Sequence, residues 1–355
     1  MTPLYAACTI AAPNYLAHAK VLASSLGRFH PDMPLFVLVP GARGLQDGRA
    51  FFSSPNVRLL DVGDLSLPGR RRLAIRYGTR QLCAALKPVL LTHLLEQGIE
   101  TVVFLDPDML VTAELGPLLE GTRRHSLTLT PHIDGSVHLP GPVFERELLL
   151  TGIYNAGCLG VSNRNDTVRF LGWWGNRLRT YCLEEIRQGI HYDQRWLDLA
   201  PGFVEDCWVL CDPGVNAGWW RLPFYDWVSS GDGFLIGGTK LRLFHASGYD
   251  PARPEQVTRY HPHWRVESLG GARTLFETYQ RLLVEAGWNR YSSLPSLRPD
   301  GWQPLFDMYH RLLLQAGRNG SKGLGGVWST GRVVYRSAAA WAQWARGSFT
   351  GCKRR

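Results

Sequence analysis

The sequence predicts an α/β fold with a mainly parallel sheet and a helical extension at its C-terminal end. Three observations predict it. Short β-rich runs alternate with helical runs over residues 1–160, the order that builds a sheet covered by helices on both faces. The run Thr101–Leu105 is short, fully apolar and rich in β-branched residues, as in a strand buried on both sides. From about Thr274 the texture turns to helix.

Each element follows from local pattern. Residues 4–10 form a first strand. Residues 14–26 repeat apolar positions at three and four and form a helix that Gly27 stops. Residues 35–39 make a second strand closed by Pro40 and Gly41, and residues 57–62 a third. Residues 82–97 are helical, with Pro88 expected in the first turn and Gly98 at the end. Thr101–Leu105, then 126–130, 158–161 and 241–244, complete the strands. Residues 275–287, LFETYQRLLVEAG, and 305–317, LFDMYHRLLLQAG, agree at eight of thirteen positions. Two copies do not make a solenoid; they read as two similar amphipathic helices packing on one surface. A boundary near residue 263 divides a first domain, 1–262, from an extension, 263–355.

Composition excludes several classes. Hydrophobic residues at 45% and charged residues at 19% supply a sizeable core and exclude a mostly disordered chain. No apolar run approaches the roughly 18–20 residues that span a bilayer. The N-terminal Met1-Thr2-Pro3-Leu4-Tyr5 lacks a basic stretch, so no cleaved signal peptide is expected. Lys and Arg number 39 against 30 Asp and Glu, but nine of the basic residues and none of the acids lie in 308–355. Residues 1–307 are therefore formally neutral. A neutral body does not track a phosphate backbone, so no nucleic-acid partner is expected; a basic end suits an anionic surface. Seven scattered Cys read as small buried hydrophobes of a reducing, cytoplasmic location.

The chemistry centres on Asp106-Pro107-Asp108, which follows the buried strand directly. The C-terminal ends of such strands are where open α/β sheets bind ligands, and hard divalent cations take oxygen ligands. Pro107 cannot donate to a ladder and suits the point where pairing ends. The same triplet is also good turn chemistry. His245, after the apolar run 241–244, reads either as a metal ligand or as a buried imidazole bonded to backbone.

The segment VFLDPDMLV resembles the DxD strand of GT-A glycosyltransferases. Leu4-Tyr-Ala-Ala-Cys-Thr9, with Tyr15 and His18, is similar to the nucleotide-binding opening of that fold. Tyr154-Asn-Ala-Gly157, Asp193-Gln194 and Phe244-His-Ala-Ser-Gly248 resemble three further motifs of the family 8 enzymes, the glycogenin-like and lipooligosaccharide-galactosyltransferase-like group. The five motifs stand in family order over about two-thirds of the chain. One departure is that family 8 places a Lys after the HxxG glycine, whereas this chain runs Gly248-Tyr-Asp250-Pro251. A related bacterial GT-A family with an HxSGYDP ending describes it better.

The resemblance implies a Rossmann-like GT-A sheet. It implies a metal-dependent enzyme that moves a sugar from a nucleotide-diphosphate donor, a UDP-sugar, to a hydroxyl acceptor with retention. Asp106, Asp108 and His245 would hold the metal, for which a mixed oxygen and imidazole set suits Mn2+ better, with Mg2+ as the alternative, and Asp106 would also face the donor. Asn155 would bond sugar hydroxyls and Gly157 permit close approach. Asp193 and Gln194 would lie beside the sugar, one holding a hydroxyl and one near the anomeric carbon. Thr9 and Tyr15 would contact base and ribose. Gly248 would line the diphosphate, with Lys87 or Arg253 in place of the missing Lys. Asp134, in His132-Ile-Asp-Gly135, is a candidate acceptor base or sugar ligand. Plainer readings stand beside these: a tight turn at 154–157, a helix N-cap at Asp193, and ordinary packing for Thr9 and Tyr15. A nucleotidyltransferase that makes nucleotide sugars and an inactive sugar-nucleotide-binding module are the alternative functions.

In the tail, Arg332, Arg336, Gln343 and Arg346 fall within about 40° of one helical line, opposite Val334, Ala338, Trp341, Trp344 and Ala345. That pattern suits an interfacial membrane helix, or a helix packed on the first domain. A membrane contact at the inner face would imply a lipid-linked or glycan-precursor acceptor.

Overall fold

The computed structural model describes residues 3–42, 56–135, 142–231 and 233–294. In chain order β1 (Tyr5–Ile10), α1 (Leu16–Phe29), β2 (Leu35–Leu38) and β3 (Val57–Leu60) come first. Next are α2 (Arg70–Arg76), α3 (Thr79–Glu96), β4 (Thr101–Leu105), β5 (Met109–Val111), α4 (Gly116–Arg124) and β6 (Leu127–Pro131). Then follow α5 (Pro142–Thr151), β7 (Tyr154–Ser162), α6 (Asn165–Tyr181), the short ribbon β8 (Glu184–Glu185) and β9 (Ile190–His191), and β10 (Cys207–Val209). A small sheet of β11 (Trp227–Ser230), β12 (Gly233–Ile236) and β13 (Thr239–Lys240) precedes β14 (Leu243–His245), α7 (Arg273–Glu285) and α8 (Trp288–Tyr291).

The α/β class read from the sequence is the architecture observed. Seven strands form one sheet in the order β10-β6-β7-β4-β1-β2-β3. Every neighbouring pair is parallel except those made by β7, which runs antiparallel to both β4 and β6. Alternation along the strands fills two cores. Ala7, Val103 and Leu105 face α1 and its apolar residues Leu16, Leu22 and Leu26. Ala6, Cys8, Val102 and Phe104 face the other way, toward Leu86, Leu90 and Leu94 of α3 and Phe170 and Trp174 of α6.

Several boundaries differ from the sequence pattern: β3 ends at Leu60, β7 starts at Tyr154, β14 covers Leu243–His245, and two helices shift. The helix α1 runs through Gly27 to Phe29, because a glycine permits a helix end without imposing one. The helix α3 starts at Thr79, with Gly78 N–H bonded to Gln81 Oε1 at 2.8 Å, so Pro88 sits in the interior rather than the first turn. Its ring packs at Gly175 of α6, where no side chain intervenes. Helix α7 packs into the first core through Leu275, Phe276, Tyr279 and Leu283. The repeat copy at 305–317 and the tail lie outside the described residues. The six described cysteines are all free thiols. Among the described residues no helix is long and apolar enough to cross a membrane.

What positions the site is the departure of the chain from the sheet after β4. Strand β5 leaves the sheet and pairs antiparallel with β14, in a register that sets His245 opposite Met109. On the other side, β7 pairs with β4 so that Leu105 stands opposite Cys158, and Asp106 N–H donates to Gly157 carbonyl at 2.7 Å.

Candidate active site

The two pairings bring distant motifs to one point. Asp106, Asp108 and His245 each offer a ligand atom, and these atoms lie within 4.8 Å of one another. His245 Nε2 is 3.4 Å from Asp108 Oδ1 and 4.0 Å from Asp106 Oδ2. The backbone fixes the same geometry, since Ala246 N–H donates to Asp108 carbonyl at 2.9 Å. Burial raises the Asp106 carboxyl above its ordinary value although Lys87 opposes it. For Asp108 burial pushes up, but the pull of His245 prevails and the carboxyl falls below the usual range.

The tautomer of His245 is set by residues that no motif pointed to. Its Nδ1 lies 2.9 Å from Asn216 Oδ1, an acceptor, so Nδ1 donates there and Nε2 is the nitrogen turned to the carboxylates. Asn216 Nδ2 donates to Thr130 Oγ1 at 2.7 Å, and Thr130 Oγ1 donates to the Cys158 carbonyl at 2.8 Å. Asn216 and Thr130 are fully buried. Asn216 also holds φ 55°, a left-handed conformation that Asn tolerates better than most residues; that tolerance is the sole trace it leaves in the sequence. With Nδ1 occupied by Asn216, Nε2 stands as the ligand nitrogen beside the two carboxylates. Two oxygens and one imidazole therefore fit a divalent cation.

Lys87 is the hub beside this group. Its Nζ is 3.1 Å from Asp106 Oδ1 and 2.9 Å from Asp193 Oδ2, and it donates to Ala156 carbonyl at 2.9 Å. Burial alone would depress the ammonium; Asp106 and then Asp193 outweigh it and hold it charged. Three oxygens surround one ammonium, so Lys87 is enclosed rather than open to the cleft. Asp193 is buried, makes no N-cap bond to the helical turn that follows it, and pairs with Lys87 instead. Gln194 is pinned at both ends: its Oε1 accepts from Ala156 N–H at 3.3 Å and its Nε2 donates to Thr151 carbonyl at 3.0 Å.

The Tyr154–Gly157 motif opens β7 rather than forming a turn. Asn155 Oδ1 accepts from Gly157 N–H at 2.9 Å, and its Nδ2 meets His132 Nε2 at 3.0 Å. His132 Nδ1 in turn donates to Ile153 carbonyl at 3.0 Å, and burial lowers its imidazole to about 4. A Cβ on Gly157 would lie 2.6 Å from His245 Cε1 and 2.7 Å from Asp106 Oδ2. The glycine is there because the cradle has no room for a side chain. Gly248 has φ 75°, and a Cβ there would strike Thr258 and Tyr260.

Thr9 is fully buried with its hydroxyl unpartnered, and His18 Nδ1 is likewise unpartnered. Tyr15 stacks on His18 with centroids 4.6 Å apart. Burial, then the Asp108 charge, raises the Tyr15 hydroxyl well above its ordinary value, which keeps it a donor beside the carboxylates. Asp134 accepts from Tyr225 Oη at 3.3 Å and lies in the field of Arg221. Arg221 is fully buried and donates to the carbonyls of Pro131, His132 and Asp212, which fixes the end of β6.

No family model and no curated protein matches the chain. Among solved structures it is similar to the galactosyltransferase LgtC in complex with donor and acceptor sugar analogues, at 19% identity over 84% of this chain and 99% of that one, with a TM-score of 0.44. An active-site mutant of LgtC gives 18% identity, 84% and 99% coverage, and 0.41. Mouse xyloside xylosyltransferase 1 in its apo form gives 15% identity, 68% and 97% coverage, and 0.42.

Proposed function

We propose that the chain is a metal-dependent glycosyltransferase that moves a sugar from a nucleotide-diphosphate donor to a hydroxyl acceptor. The observation that carries this reading is the convergence of Asp106, Asp108 and His245 within 4.8 Å at the C-terminal end of β4. A divalent cation held by these three groups supplies positive charge to a leaving diphosphate. Mn2+ suits the mixed donor set.

The chain's own groups do the rest. Lys87 fixes Asp193 and Asp106 against one another across the cleft floor. Asp193 and the pinned amide of Gln194 orient the donor sugar near its anomeric carbon. Asn155, held by His132 and Gly157, presents its amide to sugar hydroxyls. Thr9 and Tyr15 take the base and ribose, Gly248 lines the diphosphate, and Asp134 serves the acceptor side. The donor is a UDP-sugar and the configuration is retained. The acceptor is a glycan or lipid-linked glycan precursor.

The test is turnover of UDP-sugars by the full chain with Mn2+ and with chelator. The proposal expects sugar transfer or slow donor hydrolysis that chelator abolishes and Mn2+ restores. Turnover indifferent to chelator, or binding of UDP-sugars without any turnover on a broad acceptor panel, would overturn it.

A further inference from the structure

Two arginines converge on one phenol beside the metal-type cluster. Arg80 donates to Tyr260 Oη at 3.1 Å, and Arg259 donates to the same oxygen at 3.1 Å. Both side chains are exposed. Among the described residues no carboxylate stands within ion-pair distance of either; Glu184 accepts from Tyr192 Oη at 2.6 Å. Like charges gathered on one atom with no counter-charge repel each other, and the arrangement is relieved by an anion.

The position of the pair says which anion. Tyr260 backs Gly248, whose added Cβ would lie 2.6 Å from Tyr260 Cε2, and Arg259 N–H donates to the Gly248 carbonyl at 2.9 Å. Arg80 also lies over the ring of Tyr192, next to Asp193, at 5.4 Å. The charges of Asp106, Asp108 and Arg80 all reach the Tyr15 hydroxyl, and that of Asp108 reaches Tyr260. The pair therefore borders the cluster on the Gly248 side. Arg80 is the second residue of α3, where the helix dipole adds to the positive field.

Charge balance leads the same way. Asp106, Asp108 and Asp193 set three carboxylates against the one ammonium of Lys87. A divalent cation cancels the remainder, so a diphosphate bound to it still needs positive charge. Lys87 is enclosed by oxygens, and Arg253 is paired with Asp250 at 3.0 Å. Among the described residues Arg80 and Arg259 have no carboxylate partner, and planar guanidiniums match phosphate oxygens in pairs.

We infer that Arg80 and Arg259 form an oxyanion clamp, braced by Tyr260, that grips the diphosphate of the donor on the side away from the cation. This inference rests on the glycosyltransferase reading above and adds to it the residues that neutralise the leaving group.

The test is calorimetric binding of UDP, inorganic pyrophosphate and uridine to the full chain with Mn2+. The variants are Arg80→Gln, Arg259→Gln and the double variant, with Asp108→Asn as a separate control. The clamp predicts that each single change weakens UDP and pyrophosphate about five- to tenfold and the double change more than thirtyfold. Uridine affinity and the melting temperature should stay unchanged. Arg80→Lys keeps the charge but loses the paired donors, and should fall between wild type and Arg80→Gln; it also serves if the glutamine variant does not fold. Asp108→Asn should remove the Mn2+ dependence and leave the arginine effect on pyrophosphate. Unchanged UDP affinity in the double variant, with wild type binding UDP normally, overturns the clamp alone. An equal loss for uridine also overturns it. Failure of wild type to bind UDP or pyrophosphate at all overturns both the clamp and the glycosyltransferase reading.

Discussion

Asn216 Oδ1 lies 2.9 Å from His245 Nδ1, and this bond decides which imidazole nitrogen faces Asp106 and Asp108. Substitution by Leu removes the acceptor and frees the ring to turn or change tautomer. Asn216→Leu should weaken Mn2+ binding about 10- to 100-fold, the usual effect of losing such a partner. Asn216→Asp keeps an oxygen on His245 and should retain most of the affinity. Mn2+ titration followed by electron paramagnetic resonance reads both; equal affinity in the Leu variant would contradict this role.

Gly157 is the residue whose side chain the site has no space for. In Gly157→Ala the new methyl would meet His245, Asp106 and Asn155 Oδ1 at 2.6–2.8 Å. Relief requires the ligands to move apart, at a cost of about 1–3 kcal/mol. Metal-dependent binding should be lost with a modest fall in stability. A variant with unaltered Mn2+ affinity would show that the three groups do not meet as described.

Lys87 holds one buried and one half-buried carboxylate with one charge. Lys87→Met keeps the volume and strands Asp106 and Asp193, so unfolding in urea at pH 8 should show a loss of about 3–5 kcal/mol. Burial already raises the Asp106 carboxyl, and the variant removes the Lys87 charge that opposes this. Asp106 then takes up a proton more readily as pH falls, so the deficit should shrink at pH 5. A deficit that stays constant with pH would point to lost packing instead.

Buried imidazoles predict an acid limit. Burial lowers both His18 and His132 to about 4, against an ordinary value near 6.5. In the unfolded chain each takes a proton at the ordinary value, and in the folded chain only near 4. Their contribution is thus complete above pH 6.5 and is lost as pH falls from 6.5 toward 4. The loss amounts to as much as about 3 kcal/mol for each. Melting temperature should be flat from pH 8 to 7 and fall steeply below 6.5; a flat profile down to pH 5 would contradict the burial of these rings.

The site was readable wherever chemistry is written in contiguous residues. The Asp106-Pro-Asp108 step follows an apolar strand that forms over the residues expected, and His245 closes another that starts two residues later than expected. The partners were not readable, because they come from register. Nothing local in Val215-Asn216-Ala217 tells that β14 crosses to β5 and brings His245 to Asn216. Nothing in Leu86-Lys87-Pro88 tells that Lys87 will be enclosed, because that depends on α3 starting at Thr79 and passing Pro88 through its interior. The convergence of Arg80 and Arg259 on Tyr260 joins positions some 180 residues apart. Sequence showed the ligands; the fold showed what holds them.

The account depends on a cation held between β4 and β14, and diffraction tests it most directly. Crystals grown with Mn2+ and UDP, measured at the manganese absorption edge, should show one anomalous peak about 2.0–2.4 Å from carboxylate oxygens of Asp106 and Asp108 and from His245 Nε2. A map without a peak between these three groups, with Mn2+ bound elsewhere or absent at saturating concentration, would contradict the account.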